Sequence, residues 1–460
     1  MMASGSQLFE GVKIVQIEER KDEGVLSVQP SVSYRYPNEF DEEEQLSPEI
    51  LYPDLSKTRK SEWMEDDTFI LVRTDKLGIR THIYGVRYVQ PIEGGGRRYP
   101  TVFSIISHHR NAGFFFELAL VAVRYAKQSI SMLERFLSSI EHQKYPSVVG
   151  SSLVLVEKEA NGEEFRREIR NRGEFNHLFS ATSVINKISP EYTVCIVAAL
   201  LAEQRVLLVG PTVSTTTKAV AVFASLLRPL DWPHGLVTLI PDQLNADLCH
   251  NPTPYLMGMQ RNNLAQIREI LTESANQIDF AMFDIETGLI IPTPPEYGGK
   301  DNVQQYRYHT MVTFCEQMGM AKKLSTSLLK SLKSAITESD RTTSDARVKY
   351  TMFVWFASLF GHFRMCNCHL EWNDLSKRRL VALSSSKSAG EYVEFLSKTH
   401  IFDSWIMTKI ASSKLGPMSN NDEEEVMTLE SLWNISKEKP PPLNRMANRM
   451  RNVLHLNHKK

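Results

Sequence analysis

The chain has 460 residues, 42% of them hydrophobic and 23% charged, which suits roughly two to four packed, globular units. A formal net charge of −1 excludes the global basic field that holds nucleic acid, so no nucleic-acid partner is expected. The opening Met1-Met-Ala-Ser-Gly-Ser6 lacks the apolar stretch of a secretory signal, and with five cysteines, an odd number, the reading is a reducing, cytoplasmic compartment.

In chain order, Val12-Lys-Ile-Val-Gln-Ile17 reads as a first strand and the acidic cluster Asp41-Glu-Glu-Glu44 as a solvated loop. Residues 69–74 and 81–89 flank Asp75-Lys-Leu-Gly78 as a hairpin, and 102–106 forms a third strand ahead of helical patterns at 113–127 and 132–140. The apolar run 112–123 is broken by Glu117 and falls short of the ~18 residues of a membrane span. Strands followed by covering helices predict a separate α+β lobe. Its boundary is expected between 147 and 173, where Lys158-Glu-Ala-Asn-Gly-Glu163 is polar and turn-rich.

The next hundred residues alternate helix and strand. An apolar helix at 192–203 leads into Val206-Leu-Leu-Val209, a strand buried on both faces and closed by Gly210-Pro211. A helix at 214–227 follows, with Ser/Thr candidates for its cap, and Arg228-Pro229-Leu230 stops it. Then come strand-like segments at 236–240, 254–258 and 280–285, an amphipathic helix at 264–274, and a turn at Glu286-Thr-Gly288. This pattern predicts an α/β sheet layered by helices. A Pro- and Gly-rich connector at 292–299 opens a helical third region, in which 348–361 is apolar nearly all round, as a buried helix is.

The run Leu200-Leu-Ala-Glu-Gln-Arg-Val-Leu-Leu-Val209, with Asp231-Trp232-Pro233-His234, Ala246-Asp247-Leu248, Pro252-Thr-Pro-Tyr-Leu-Met-Gly258 and Phe283-Asp-Ile-Glu-Thr-Gly288, closely resembles the central block of DENN-domain proteins. Tyr34-Arg-Tyr-Pro37 and Leu51-Tyr-Pro-Asp54 are similar to the upstream block, and 348–361, 392–396 and 401–406 to the downstream block, so the resemblance runs from roughly 20 to 410. The chain departs from the family at Glu286, usually Asp, and in the Thr-rich Thr215-Thr-Thr217. The resemblance implies a longin-like lobe at 1–155, a central α/β domain at 156–295, a helical downstream region at 296–412 and a tail at 413–460.

It further implies guanine-nucleotide exchange on a Rab-type small GTPase in vesicle transport, without a cofactor, in the cytoplasm or peripherally on endomembranes. The GTPase would be gripped across a cleft between the first two lobes. That reading nominates His108, His109, Arg110 and Asn111 on the first lobe and Asp231, Trp232, His234, Asn251 and Tyr255 on the second. Trp232 and Tyr255 are attractive as aromatic anchors, although an aromatic residue beside proline is more often core packing at a loop base. Arg97 and Arg98, after Gly94-Gly-Gly96, support an alternative, an arginine finger in a GTPase-activating or adaptor protein; a non-catalytic scaffold is the third reading.

Other patterns carry less. Gly210-Pro-Thr-Val-Ser-Thr-Thr-Thr217-Lys218 follows a strand and opens a helix, but it lacks the second glycine and the Lys-Ser/Thr pair of a phosphate loop. Cys366-Asn-Cys368-His369 is one ligand short of a zinc set and too closely spaced, so no metal is expected. Leu443, Met446, Met450, Val453 and Leu454 form a helical stripe with Arg445, Arg449 and Arg451 largely off it. Such a segment would pack back onto the third region, bind an anionic membrane or stay disordered.

Overall fold

Alternating apolar residues build the first sheet of this chain, seen here in a computed structural model that describes residues 7–22, 25–37, 46–55, 58–75, 78–91, 95–158, 164–240, 249, 251–261, 280–287, 290–291, 303–337, 341–414 and 428–434. The acidic cluster at 41–44, the helix expected at 264–274, the connector at 292–299 and Arg445, Arg449 and Arg451 lie outside these residues.

Strands β1 (Gly11–Asp22), β2 (Val25–Tyr36), β3 (Asp67–Thr74), β4 (Arg80–Tyr88) and β5 (Thr101–Ser107) form an antiparallel sheet in the order β2-β1-β5-β4-β3. Val12, Ile14, Ile70, Val72, Tyr84, Val86, Phe103 and Ile105 face one core, against helices α2 (Ala112–Gln128) and α3 (Ile130–Ile140). Val15, Phe69, Leu71, Ile83, Val102 and Ile106 face the other, against the short helix α1 (Pro48–Leu51). This period of two is what a sheet covered on both faces requires. Sequence reading missed β2 because Pro30 interrupts its pattern; β2 is an edge strand, where a missing N–H breaks no interior ladder.

A hairpin of β6 (Ser152–Lys158) and β7 (Glu164–Arg170) follows. The cut expected between 155 and 156 falls inside β6, and we propose that the first lobe runs to the end of β7.

The central sheet has the order β12-β11-β8-β10-β9: β8 (Arg205–Gly210), β9 (Gly235–Val237), β10 (Tyr255–Gln260) and β11 (Phe280–Asp284) are parallel and β12 (Ile290–Ile291) is antiparallel at one edge. Val206 and Leu208 join the main core with α4 (Ala181–Ile188), α5 (Pro190–Leu201) and α6 (Val213–Leu226), while Leu207 and Val209 pack with Met257, Met259 and Met282 on the opposite face. Every residue of β8 is buried, as the unbroken apolar run predicts. Strand β9 ends at Val237, short of the expected 236–240, yet Ile240 N–H still donates to Gly258 O at 2.8 Å. Gly258 is required there, because a Cβ would stand 2.2 Å from Thr238 O.

The third region is helical: α7 (Val303–Gln317), α8 (Lys322–Ile336), α9 (Arg341–Phe360), α10 (Asp374–Ala382), α11 (Lys387–Leu396) and α12 (His400–Lys414). It is tied to the central lobe by Asp345, whose Oδ1 accepts from Ser180 Oγ at 3.0 Å and Thr182 N–H at 2.7 Å. Residues 428–434 pack against it through Leu429, Leu432 and Trp433, the last stacked on His362. The fold class is therefore α/β, with a sheet-rich N-terminal lobe, a central lobe on a largely parallel sheet and a helical C-terminal region.

Among the described residues no single helix is long and apolar enough to cross a membrane. The helices α4 and α5 together have the composition, but they bend by 103° and are mostly buried.

Candidate functional site

The first two lobes meet along strand β3, the free edge of the N-terminal sheet. An edge strand leaves main-chain groups unpaired, and here α6 and the segment after β9 meet them. Thr217 Oγ1 accepts from Ile70 N–H at 3.3 Å, Thr238 Oγ1 from Val72 N–H at 3.1 Å, and Ser214 Oγ donates to Thr68 O at 2.8 Å. The Thr-rich start of α6, a departure from the family pattern, thus has a structural task. Lys218 is equally committed: its Nζ donates to Thr68 Oγ1 at 2.7 Å and lies over the Phe116 ring. Burial lowers its pKa to about 8.

At the end of this junction the loop after β5 reaches the loop before β9. Arg110 places Nε 3.0 Å from Glu174 Oε1, donates from Nη2 to Ser225 Oγ at 2.8 Å, and brings Nη1 to 3.5 Å from Asp231 Oδ1. Arg80, at the start of β4, donates to the carbonyls of Trp232 and His234. Burial alone would raise the Glu174 carboxyl, but the positive charges of Arg110 and Arg228 and the Ser225 hydroxyl bring it below the ordinary carboxylate range. Burial, helped by Arg110, lowers His82 to about 3, so this ring stays neutral beside the arginines. A cavity of about 40 Å³ remains, lined in part by Arg80, His82, Arg110 and Glu174.

Of the nominated residues, His108 and Asp231 are exposed on the rim of this junction. Asn251 is also exposed, in the loop that enters β10 at the same end of the sheet as residues 231–234. His109, Arg110 and His234 are half-buried; His109 Nε2 lies 2.9 Å from Gln7 O and its ring stacks on Tyr145.

Three nominated residues are buried. Asn111 is buried as the N-cap of α2: its Oδ1 accepts from Phe114 N–H at 3.1 Å and its Nδ2 donates to Tyr145 Oη and Asn171 Oδ1. Trp232 is 1% exposed and donates Nε1–H to Gly235 O, and Tyr255, also 1% exposed, donates its hydroxyl to Cys249 O. Both rings pack at the base of the loops, with their polar tips spent within the chain. Arg97 and Arg98 are exposed but precede β5, whereas 108–111 follow it, so the strand separates them by roughly 20 Å. Cys366 and Cys368 are buried, with Cys368 Sγ 3.7 Å from Ser376 O.

Residues 98–288 match the family model described as the DENN (AEX-3) domain. This stretch of the chain is similar to a DENN domain. The match begins just before β5 and ends after β11, so both loops of the junction lie within the matched stretch, while β1 to β4 lie outside it and join through the pairing of β5 with β1 and β4.

Relatives include human DENN domain-containing protein 2A, 26% identical over 289 residues (59% of this chain, 28% of the relative). Mouse DENN domain-containing protein 2B is 26% identical over 288 residues (59% and 24%), and human DENN domain-containing protein 2D is 24% identical over 268 residues (56% of each). The matched part therefore spans between about a quarter and just over half of these relatives' lengths.

Two acids escaped sequence reading as site residues. Glu174 has no motif around it and Glu203 was read only as part of the Leu200–Val209 run, and only the fold brings them to Arg110 and His234.

Proposed function

We propose that this chain is a guanine-nucleotide exchange factor for a Rab-type small GTPase, which it binds across the junction of its first two lobes. The observation that supports this reading is the approach of Arg110 to Asp231, 3.5 Å apart, which joins the loop after β5 to the loop before β9 with His108 and Asp231 exposed on the rim. Loops held on a rigid scaffold are where proteins carry recognition. Exchange needs no bond chemistry. A surface that binds the nucleotide-free GTPase more tightly than the loaded form weakens nucleotide binding by the same factor. It does so by holding the switch segments away from the phosphate and magnesium that order them.

The test is release of fluorescent GDP from a panel of Rab proteins, followed beside GTP hydrolysis. Accelerated release from at least one Rab is expected. Accelerated hydrolysis alone would favour the GTPase-activating reading, and a complex with neither effect the scaffold. We also propose that the tail with Arg445, Arg449 and Arg451 contacts anionic membrane, where lipid-anchored GTPases reside. Equal co-sedimentation of the full chain and a chain ending at Pro442 with anionic liposomes at low salt would remove that role.

A further inference from the structure

A second constellation lies on the other side of the 231–235 loop and shares only His234 with the residues nominated for the exchange reading. Glu203 follows α5 with a left-handed backbone (φ 53°), which turns the chain into β8 and sets its carboxylate against the start of α12. Its Oε1 accepts from Ile401 N–H at 2.7 Å and lies 2.8 Å from His234 Nε2. His400, the first residue of α12, brings its imidazole to 5.3 Å from that of His234, centroid to centroid. One ligand atom from each of Glu203, His234 and His400 lies within 4.8 Å of the other two.

We propose that Glu203, His234 and His400 form a binding site for a transition-metal dication of the Zn²⁺ class, with solvent completing the coordination. Two imidazoles and one carboxylate suit zinc, whereas calcium and magnesium prefer all-oxygen sets. In a tetrahedral zinc site with bonds of about 2.0–2.1 Å, neighbouring donors stand roughly 3.4 Å apart. The separations present, 2.8 Å for the carboxylate and His234 and at most 4.8 Å within the group, bracket that value, so side-chain rotations suffice.

The site is built from rigid parts. Ile401 and Trp232 are buried, and Arg80 holds the carbonyls of Trp232 and His234, so its nearby positive charge is directed at the main chain. His400 is the exposed member, which leaves its ring room to turn and gives water a path to the ion. The three ligands come from the turn before β8, the loop before β9 and the start of α12, so a bound ion would pin the 231–235 loop between the central lobe and the helical region. Sequence spacing could not reveal the set, because its members are separated by 31 and 166 positions (234 − 203 and 400 − 234).

The experiment uses the full chain, freed of metal by a chelator and dialysed, titrated with Zn²⁺ by calorimetry and with Co²⁺ by its visible ligand-field absorption. One equivalent should bind, and a Co²⁺ band of low-symmetry coordination should develop. His400→Ala, at an exposed position, should leave the melting temperature of the metal-free chain unchanged. It should weaken Zn²⁺ by more than the about 10–100-fold typical of losing a group that only supports a ligand, and abolish the Co²⁺ band. Glu203→Gln should weaken binding as well. Absence of Zn²⁺ binding would leave the cluster a hydrogen-bonded joint at the start of α12. Undiminished binding by His400→Ala would place the ion elsewhere. Either result overturns the proposal.

Discussion

Replacing Glu174 by glutamine keeps the shape of the side chain and removes its charge, which tests the ion pair at the lobe junction. The carboxylate oxygen that accepts from Arg110 Nε at 3.0 Å also accepts from Ser225 Oγ at 2.7 Å, and the side chains of Arg110 and Glu174 are only 18% and 10% exposed. Arg228 and Lys349 also act on Glu174, whereas Asp231, 3.5 Å from Arg110, is 73% exposed. Removing one partner of a buried pair costs about 3–5 kcal/mol, whereas Asp231→Asn, at an exposed pair, should cost about 0–1 kcal/mol. Denaturant midpoints of wild type, both single variants, Arg110→Met and the double variant Arg110→Met/Glu174→Gln measure this. The double variant should regain part of the loss, since the stranded arginine is gone.

The pH dependence has a definite sign. Glu174 has a folded pKa below its unfolded value of about 4.3, so its stabilisation is present above that value and is lost as pH falls through the folded pKa. Glu174→Gln should remove that part of the acid sensitivity. A Glu174→Gln cost no larger than that of Asp231→Asn, or a double variant worse than the sum of its parts, would refute the reasoning.

Leu208→Asp should prevent folding of the central lobe, seen as loss of soluble chain or of cooperative unfolding, because it buries an unpaired charge in a fully covered strand. Asp231→Lys should slow GDP release from the responsive GTPase by about tenfold or more while shifting the melting temperature little, as an exposed rim charge does; equal loss of both would make Asp231 structural. Thr217→Val should cost about 1–3 kcal/mol by denaturant titration, since it strands the Ile70 N–H. Gly258→Ala should destabilise by about 1–3 kcal/mol or more, because its methyl would meet the Thr238 carbonyl and not a movable side chain.

What the sequence made legible was the buried scaffold. Val206-Leu-Leu-Val209 and the helices on either side announce themselves because a strand covered on both faces has no polar face to confuse the pattern. Strand β2 hid behind Pro30, and the β6–β7 hairpin behind its polar turn, since local composition there speaks for a boundary. Of the three loops nominated from the family resemblance, 108–111 and 231–234 approach each other through Arg110 and Asp231. Within those loops sequence could not separate caps from contacts: Asn111, Trp232 and Tyr255 are residue types that serve equally at an interface and at a loop base. The difference lies in which hydrogen-bond partner is in reach, and that is a property of distant segments.

The sealing of strand β3 by Thr217, Thr238 and Ser214 bears on how the chain can work. Each of these contacts spends a main-chain group that water would otherwise hydrate, so sliding one lobe past the other strands several buried donors and acceptors together. Two lobes joined this way behave as an anvil and not as jaws. On the proposed exchange function, a GTPase docking on the rim would meet a fixed relief, and the bending would happen in the GTPase. On that same proposal, substitutions that loosen the seam should weaken exchange even where they touch no partner, because the template would yield before the switch segments do.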